Sequence, residues 1–387
     1  MILTGYAIAN NFTLSTFVQG LPAAPVTGPG DGGPRGIFFT NAGDVMVTDI
    51  LANSDANVYR FPDKGPLNPP PPQTPGSPTA FYAHGGALSQ QNALGVTQIA
   101  AGSGFNYYMA QQGNGEVVQI AADGTFIQNI FAVPGATGIV NFPDNVPGPE
   151  HGHVFVSSES VTQCAGTGSG NSICDVDPVA KTGRVLVGGL SEPDGLTFNA
   201  GGTILYAVDH PGGEDHIKGF DLSGNLVYDS GPITKSVLGN GSDPNIGVIN
   251  NVDGLLMGAG TLTGKLYANF KTGIVLEVNL FVNGGVCTSA PTSPCNAIAY
   301  NGTHGDFITG DPLIFSGGPN KYYASMLLTG TDATGGYLQR IDPMPDGGFC
   351  SFEGCAELAT PEPRSFGLML AVFVSSAVLR RLVRRSR

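Results

Sequence analysis

The sequence predicts an all-β protein, and three observations support that fold class. Short runs of alternating apolar and polar residues recur along the chain, as expected for half-buried strands. The 387 residues include 58 glycines and 29 prolines, which is typical of a chain with many tight turns. No segment before residues 361–387 keeps the 3.6-residue periodicity of an amphipathic helix. We therefore expect a body built from short strands and turns.

A unit of several strands is repeated along this body. Five units begin with a glycine followed by an apolar residue, and in the sixth Asp306 separates Gly305 from Phe307. Successive units begin 43–59 residues apart. The glycines that open the six units are Gly36, Gly95, Gly138, Gly195, Gly254 and Gly305. One four-stranded sheet with its loops takes up about 40–50 residues. The repeat thus predicts a six-bladed β-propeller over residues 34–345, with seven blades as the alternative.

The fourth unit shows how strands are predicted within a repeat. Alternating apolar residues at 196–198 predict a first strand, and a Gly-Gly turn at 201–202 follows it. A second strand over 204–208 ends on Asp209, and a third over 217–221 leads into a Ser-Gly-Asn turn. Strands joined by such short turns are antiparallel neighbours, so each unit is expected to form one blade.

The six cysteines form three local pairs. The pairs are Cys164 with Cys174, Cys287 with Cys295, and Cys350 with Cys355. Each pair brackets a stretch of mostly small or turn-forming residues, and none has the CxxC spacing that is typical of zinc sites. We predict three disulfides, and therefore an oxidising compartment. The third disulfide would clamp a linker over residues 346–360.

Charge is distributed unevenly along the chain. The formal net charge is −13, but six of the 17 basic residues follow residue 363, and all 30 acidic residues precede it. Residues 1–363 therefore carry a net charge of −19, from 11 basic and 30 acidic residues. A surface of this charge repels phosphate backbones, which argues against nucleic acid as a partner and favours a bound cation or a basic partner.

The C-terminal tail, residues 361–387, contains a short apolar segment followed by arginines. The 15 uncharged residues 365–379 predict a transmembrane helix. This helix would be about 22 Å long, less than the roughly 30 Å of a hydrocarbon core, so spanning requires a tilted helix or a thinned bilayer. The arginine head groups would lie at the cytoplasmic interface. These arginines are Arg380, Arg381, Arg384 and Arg385.

The order of elements in the tail resembles the PEP-CTERM sorting signal of Gram-negative bacteria. Pro361, Glu362 and Pro363 come first, and the apolar helix and the arginine cluster follow. The resemblance implies transient anchoring in the inner membrane and cleavage near these residues by an exosortase. It further implies that the body is exported and then released or retained at the cell envelope, outer surface or extracellular matrix. An ordinary C-terminal membrane anchor is the alternative.

The N-terminal segment, residues 1–33, does not resemble an export signal. It lacks a basic n-region and a continuous apolar h-region. Since the cysteines and the tail both indicate export, we expect the true start of the precursor to lie upstream of this sequence.

Carboxylates are expected at the mouth of the central channel. In a propeller the residue before each opening glycine lies near this mouth. Asp194 and Asp253 hold that position, and Asp306 follows Gly305. The other units have Arg35, Leu94 and Thr137 there. Facing carboxylates repel one another unless they are protonated or bridged by a hard cation such as Ca²⁺, so the three aspartates are candidate calcium ligands. Alternatively, each aspartate bonds the turn amides of its own blade.

The repeats resemble the NHL and SMP-30/gluconolactonase group of propellers. The resemblance is carried by Pro193–Leu196 (PDGL) and Tyr206–Asp209 (YAVD), and the absence of tryptophan argues against WD40 blades. It implies Asp194 and Asp253 as ligands of a lactonase metal, which would polarise the lactone carbonyl and activate a water. The family also uses an early glutamate, whereas Glu116 is the first glutamate in this sequence.

Histidines are a second set of candidate residues. They are His151, His153, His210, His216 and His304. If they converge, they can act as general bases or ligands, as in streptogramin-lyase-like propellers; otherwise they are solvated loop residues. The sequence contains no GxSxG elbow, P-loop, HExxH helix or EF-hand loop.

These observations predict an exported, surface- or matrix-associated propeller that acts as a binding or scaffold protein, with an exopolysaccharide or another surface molecule as its ligand. A calcium-dependent hydrolase of the lactonase type is one alternative, and a structural component of the exopolysaccharide layer is another. An enzyme requires three or more polar groups that converge in the channel. A binding module requires an apolar or aromatic patch, and a structural role requires neither.

Overall fold

The computed structural model describes most of residues 104–300 and separate strands on either side. The described residues are 6–7, 12–21, 33–40, 43–50, 56–61, 81–83, 93–101, 104–164, 168, 170–259, 262–289, 291–300, 304–310, 322–327 and 336–343. The chain divides into two units, residues 1–347 and 348–387. All described strands belong to the first unit, and the second lies outside the described residues.

The described strands form six antiparallel sheets. Two N-terminal strands, β1 (Tyr6–Ala7) and β2 (Phe12–Leu21), join sheets formed by later parts of the chain. The first sheet contains β3 (Gly33–Phe39), β4 (Val45–Ile50), β5 (Ala56–Phe61) and β6 (Tyr82–Ala83). The second contains β7 (Ala93–Ala101), β8 (Gly104–Gln111), β9 (Glu116–Ile120) and β10 (Phe126–Ala132). The third contains β11 (Ala136–Asn141), β12 (Val154–Ser158), β13 (Asn171–Asp177) and β14 (Thr182–Leu190).

The remaining three sheets follow the same order. The fourth contains β15 (Leu196–Phe198), β16 (Ile204–Asp209), β17 (His216–Asp221) and β18 (Leu226–Asp229). The fifth contains β19 (Val252–Met257), β20 (Lys265–Phe270), β21 (Ile274–Asn279) and β22 (Cys295–Tyr300), with β1 beside β22. The sixth contains β23 (His304–Gly310), β24 (Tyr322–Leu327) and β25 (Gly336–Pro343), with β2 beside β25.

This architecture is an all-β propeller, as the repeats predicted. The first strands of successive sheets contact one another in the order β3, β7, β11, β15, β19 and β23, and β23 contacts β3 in turn. These strands therefore surround a central channel. Five of the sheets are blades built from consecutive strands, which is one fewer than the predicted six. The sixth sheet instead combines β2 with β23, β24 and β25.

The first strands approach closely where the repeats begin with glycine. A Cβ atom on Gly254 would lie 2.6 Å from Asp306 O and 2.6 Å from Phe307 Cα. Only glycine leaves room for this approach of two backbones. Phe307, rather than the predicted Gly305, therefore takes the position of the opening glycine in the sixth sheet. Asp306 consequently precedes that position, as Asp253 does in the fifth sheet.

Apolar side chains fill the space between neighbouring sheets and so fix the strands that border the channel. The fourth and fifth sheets share a large buried cluster that includes Ile217 and Leu276. Between the third and fourth sheets, the rings of Phe155 and Phe198 pack edge to face with centroids 4.9 Å apart, and Phe142 lies against Phe198 at 5.4 Å. Such aromatic pairs stabilise the core beyond the area that they bury.

Two of the three predicted disulfides are present. Cys164 is bonded to Cys174 in the third sheet, and Cys287 is bonded to Cys295 at the start of β22. Cys350 and Cys355 lie outside the described residues. The oxidising compartment stays a prediction.

The described residues include short 3₁₀ turns. These are Pro211–Gly213, Lys235–Val237 and Asn283–Gly285. Within the described parts of the chain, no helix has the length and apolar character needed to cross a membrane. The apolar helix predicted over residues 365–379, the arginine cluster and the Pro361–Pro363 motif lie outside those parts.

Candidate functional site

The mouth of the central channel brings together charged side chains from neighbouring sheets. Arg35 lies in β3, Asp253 in β19 and Asp306 in β23, while Asp194 lies two residues before β15. Each is at the start of a strand that borders the channel, as the repeats predicted. The second and third sheets have Leu94 and Thr137 at this position. The three aspartates therefore lie on consecutive sheets at one side of the mouth.

A second set of charged residues follows the strands next to the first ones. Because the sheets are antiparallel, the second strand of each sheet ends at the channel mouth. Glu159 follows β12, His210 follows β16 and Lys271 follows β20. Only His210 was among the predicted candidates, as one of the histidines. Glu159 and Lys271 were not predicted, because no glycine marks the end of the second strand. A charged residue follows the second strand in three consecutive units. This repetition is the signal that could have identified Glu159 and Lys271.

Two basic groups offset part of the aspartate charge. Arg35 Nη1 donates a hydrogen bond to Asp306 Oδ2 at 2.6 Å, and their side chains are only 12% and 4% exposed. Lys271 Nζ lies 3.9 Å from Asp253 Oδ1. Burial disfavours the charged form of Lys271, but the negative charges of Asp253, Asp306 and Asp194 raise its pKa above the usual value. Both basic groups are therefore charged at neutral pH.

Asp194 has a buried carboxyl oxygen that no described residue satisfies. Its Oδ1 lacks a hydrogen-bond partner within the described parts of the chain. Burial, followed by the negative charges of Glu159 and Asp253, raises the pKa of Asp194 well above its usual range. Such surroundings favour the protonated form of the carboxyl group, because ionisation would add another negative charge. Protonated Asp194 can donate a hydrogen bond to a ligand.

Glu159 titrates near neutral pH although its side chain keeps an exposed surface. Partial burial of the carboxyl group, together with the negative charges of Asp253 and Glu192, raises the pKa of Glu159 to about 7. Lys271 and His210 oppose this shift. Because it is exposed, Glu159 can contact a ligand or a water molecule, and small changes in pH change its charge.

His210 is held by a nearby carboxylate. Its Nδ1 lies 2.8 Å from Asp215 Oδ1, and the side chains are 10% and 5% exposed. Asp215 also accepts a hydrogen bond from Val252 N at 3.1 Å, which fixes the pair to the start of β19. Burial disfavours the imidazolium, but the hydrogen bond and the charges of Asp215 and Asp253 raise the pKa of His210. With Nδ1 engaged, Nε2 is the ring nitrogen that can serve in proton transfer.

We call the set of charged residues at this place the mouth cluster. It comprises Arg35, Glu159, Glu192, Asp194, His210, Asp215, Asp253, Lys271 and Asp306. Six carboxyl groups thus face three basic groups, and the cluster is negative once Glu159 ionises, even with Asp194 protonated. A negative recess bordered by protein attracts cationic ligands.

The three aspartates predicted to bind Ca²⁺ do converge on the mouth, but resident basic groups already face two of them. Arg35 contacts Asp306, and Lys271 approaches Asp253. No group of three His, Cys, Asp or Glu side chains within the described ranges is arranged to hold a metal ion. The present arrangement does not fit Ca²⁺, because Arg35 and Lys271 would have to move aside. Calcium binding stays a prediction.

The histidines have separate partners and do not form one site. His153 Nδ1 lies 2.7 Å from Asp175 Oδ1, whereas His216 Nδ1 lies 2.8 Å from Asp229 Oδ1. His151 and His153 precede β12 instead of lying on a strand. They are at the end of the propeller opposite the mouth cluster, because β11 starts at the mouth and runs away from it. The side chain of His304 lies outside the described set.

Comparisons with known proteins support the fold. No protein-family model matches the chain, and no curated protein matches it. Among solved structures, it is similar to a gluconolactonase from Xanthomonas campestris, with 13% identity, a TM-score of 0.52, and coverage of 86% of this chain and 90% of the other.

A second solved structure with the same TM-score of 0.52 is the PQQ-bound form of an aldose sugar dehydrogenase from Streptomyces coelicolor. Identity is 11%, and the match covers 86% of this chain and 98% of the other. At this identity the likeness shows the fold alone. The predicted β-propeller fold is therefore confirmed, and the resemblances to SMP-30/gluconolactonase and NHL propellers and to the PEP-CTERM signal stay predictions.

Proposed function

We propose that the protein is a binding protein whose mouth cluster takes a small ligand through a cationic group. The observation that carries this proposal is the buried Oδ1 of Asp194, which has no hydrogen-bond partner among the described residues. It lies beside Glu159, which ionises near pH 7, and Asp253. A cationic group in the mouth would offset the negative charge there. A hydroxyl or amine group beside it would form the hydrogen bond that Asp194 Oδ1 lacks.

The proposal is tested with three ligands of similar size and different charge. Isothermal titration calorimetry at pH 8 would compare 1,3-diaminopropane, propane-1,3-diol and malonate. We expect the diamine to bind most tightly, and its affinity to increase between pH 6 and pH 8 as Glu159 loses its proton. A preference for malonate would overturn the proposal, because Arg35 and Lys271 would then be the groups that select the ligand.

A substitution that removes one charge tests the role of Glu159. Glu159→Gln should weaken diamine binding about fivefold or more, since a charge-assisted hydrogen bond contributes about 1.5–3 kcal/mol and is replaced by a weaker neutral one. The matched control is Glu150→Gln, in the loop between β11 and β12 at the opposite end of the propeller. The proposal predicts unchanged binding for that control and loss of the pH dependence in Glu159→Gln.

Hydrolysis of a lactone is the second candidate function, and the ionisation of Glu159 near pH 7 favours it. Ionised Glu159 could take a proton from water while the water oxygen attacks the lactone carbonyl. The ring C–O bond then breaks, and the leaving oxygen takes the proton of Asp194. The hydroxy acid then departs, and Glu159 passes its proton to Asp194, which returns both groups to their starting states. Arg35 and Lys271 supply positive charge to offset the oxyanion.

A pH-stat assay with a δ-lactone separates the two candidates. Hydrolysis that both Glu159→Gln and Asp194→Asn abolish would favour the enzyme. Diamine binding without lactone turnover would favour the binding protein. An assay with added Ca²⁺ and one with a chelator would show whether the predicted calcium ligands Asp194, Asp253 and Asp306 take part.

We also propose export and C-terminal sorting as the sequence predicts. The two disulfides support an oxidising compartment. On this proposal the protein meets its ligand at the cell surface or in the extracellular matrix, and an exosortase removes the tail. Mass spectrometry of the protein from its native host would show a C-terminus near Pro363 if this is right. A mass that includes Arg387 would contradict it.

The sixth sheet is, we propose, a sixth blade. Support comes from the contacts of β23 with both β19 and β3, which close the succession of first strands around the channel. The pairing of β2 with β25 gives this sheet four strands, as in the other blades.

A further inference from the structure

A cavity lies along the strands that border the channel, and most of its lining residues follow the mouth positions by two to four residues. Its volume is about 160 Å³. Each of the six first strands contributes an apolar side chain two residues beyond its mouth position. These side chains are Ile37, Val96, Ile139, Leu196, Leu255 and Ile308. They are 4–8% exposed, so the propeller encloses the space that they line.

Two of the threonine side chains deeper in the channel are hydrogen-bonded to the protein. Thr97 Oγ1 donates to Asn141 Oδ1 at 2.8 Å, and Thr197 Oγ1 accepts from Met257 N at 3.0 Å. Both residues line the cavity. Because these hydroxyl groups already have partners, the cavity presents mainly hydrocarbon to an occupant. Hydrocarbon that leaves water for such a space gains free energy in proportion to its apolar area.

We infer that this cavity binds the hydrocarbon part of the ligand whose cationic group occupies the mouth cluster. The inference rests on the proposed function and adds the ligand class, an amphiphilic amine. On each first strand the cavity residue follows the mouth position by two residues, or about 7 Å of strand, a distance that the chain of hexylamine can span. A cavity of about 150 Å³ lined by aliphatic and aromatic side chains holds one benzene molecule, so about six carbon atoms should fill this one.

A series of primary amines from methylamine to decylamine tests the cavity by calorimetry at pH 8. The expected dissociation constant falls about fourfold for each methylene that enters the cavity. The gain should stop at about six carbons. 1-Hexanol and hexanoate, measured in parallel, test the mouth cluster at constant chain length, and we expect hexylamine to bind most tightly of the three.

Variants locate the effect. Leu196→Phe should remove the gain with chain length by filling the cavity, and Leu255→Ala should move the limit to longer chains by enlarging it. Two variants with opposite expected shifts keep the test valid if one of them fails to fold. Glu159→Gln should weaken the binding of all amines by the same factor and leave the gain in affinity per methylene unchanged. The control Leu226→Ala, on the outermost strand of the fourth sheet, should change neither.

The outcomes separate this inference from the proposed function. Amines that bind with no dependence on chain length would overturn the cavity site and leave the mouth cluster as the binding site. Equal affinities for hexylamine, hexanol and hexanoate, together with a gain along the amine series, would support the cavity site and overturn the cationic selectivity. A gain that persists unchanged in both Leu196→Phe and Leu255→Ala would place the hydrocarbon elsewhere and overturn the inference.

Discussion

At the scale of single residues, the protonation of Asp194 and Glu159 determines the charge of the mouth cluster. Burial and the surrounding carboxylates raise the pKa of both groups, and that of Glu159 reaches about 7. Both shifts arise because a further negative charge at this place is opposed by those already present. The mouth therefore becomes more negative over the pH range in which Glu159 ionises, and a cationic ligand would bind more tightly above that range.

These raised pKa values predict that the protein is less stable at pH 8 than at pH 5.5. In the unfolded chain, Asp and Glu side chains ionise at about pH 4, whereas the folded protein keeps these protons to higher pH. Between these limits the folded state binds more protons, so the free energy of unfolding falls as pH rises. His210, with its raised pKa, contributes in the same direction: its stabilisation is present below about pH 6.5 and is lost as pH rises through the folded value.

Thermal unfolding at several pH values, monitored by circular dichroism, measures this effect. Asp194→Asn should reduce the loss of Tm between pH 5.5 and pH 8, because an amide has no proton to lose. Asp243→Asn is a suitable control, since Asp243 Oδ1 accepts a hydrogen bond from Asn245 N that an amide oxygen also accepts. An Asp194→Asn protein with the same pH dependence as the wild type would show that Asp194 ionises normally.

At the scale of elements, the first strands of five of the six sheets have a glycine that permits close approach to the next first strand. In the fourth and fifth sheets, the residue before that glycine is an aspartate of the mouth cluster. Gly254, for example, faces Asp306 O and Phe307 Cα. The same short segment thus closes the propeller and supplies the residues of the site.

Gly254→Ala should therefore destabilise the protein by about 1–3 kcal/mol, the range for overpacked positions. The atoms that a Cβ would meet, Asp306 O, Phe307 Cα and Ile308 N at 2.6–2.7 Å, belong to the backbone and cannot rotate away. Gly247→Ala is the matched control, because no atom lies within 4 Å of the position of its Cβ. Urea unfolding of both variants gives the comparison, and equal midpoints would contradict the close approach.

At the scale of the whole molecule, the N-terminal strand completes the sixth sheet. β2 pairs with β25 along Phe12–Leu21, and its side chains Val18 and Leu21 are fully buried. The channel is enclosed only when the sixth sheet is in place, because β23 connects β19 to β3. Segments far apart in the sequence therefore hold the mouth cluster in shape.

Deletion of residues 1–21 should lower the urea midpoint substantially and promote association. The deletion exposes the apolar side chains beneath β2 and leaves β25 as an unpaired edge that can pair with another molecule. Deletion of residues 1–7 is the control, since it removes only the two-residue strand β1. Size-exclusion chromatography at two concentrations detects the association, and monomeric behaviour of both deletions would contradict this role of β2.

Much of the fold and part of the site could be predicted from the sequence. Repeated strands and turns predicted the propeller, and the spacing of the cysteines predicted two disulfides that the structure contains. The position before the opening glycine drew attention to Asp194 and Asp253, which lie at or just before the starts of neighbouring first strands. These features are local, because a short segment of chain is enough to specify a strand, a turn or a nearby cysteine pair.

Only the tertiary structure determined which of these residues act together. It brings Glu159, His210 and Lys271 to the mouth from the ends of second strands, and it places His153 at the opposite end of the propeller. It also pairs Arg35 with Asp306, although 271 residues separate them. Such contacts depend on closure of the propeller, and burial and charge at the mouth depend on all the blades at once. A sequence pattern records neither these contacts nor the burial and charge at the mouth, because electrostatic interaction depends on distance in space and on the surrounding medium.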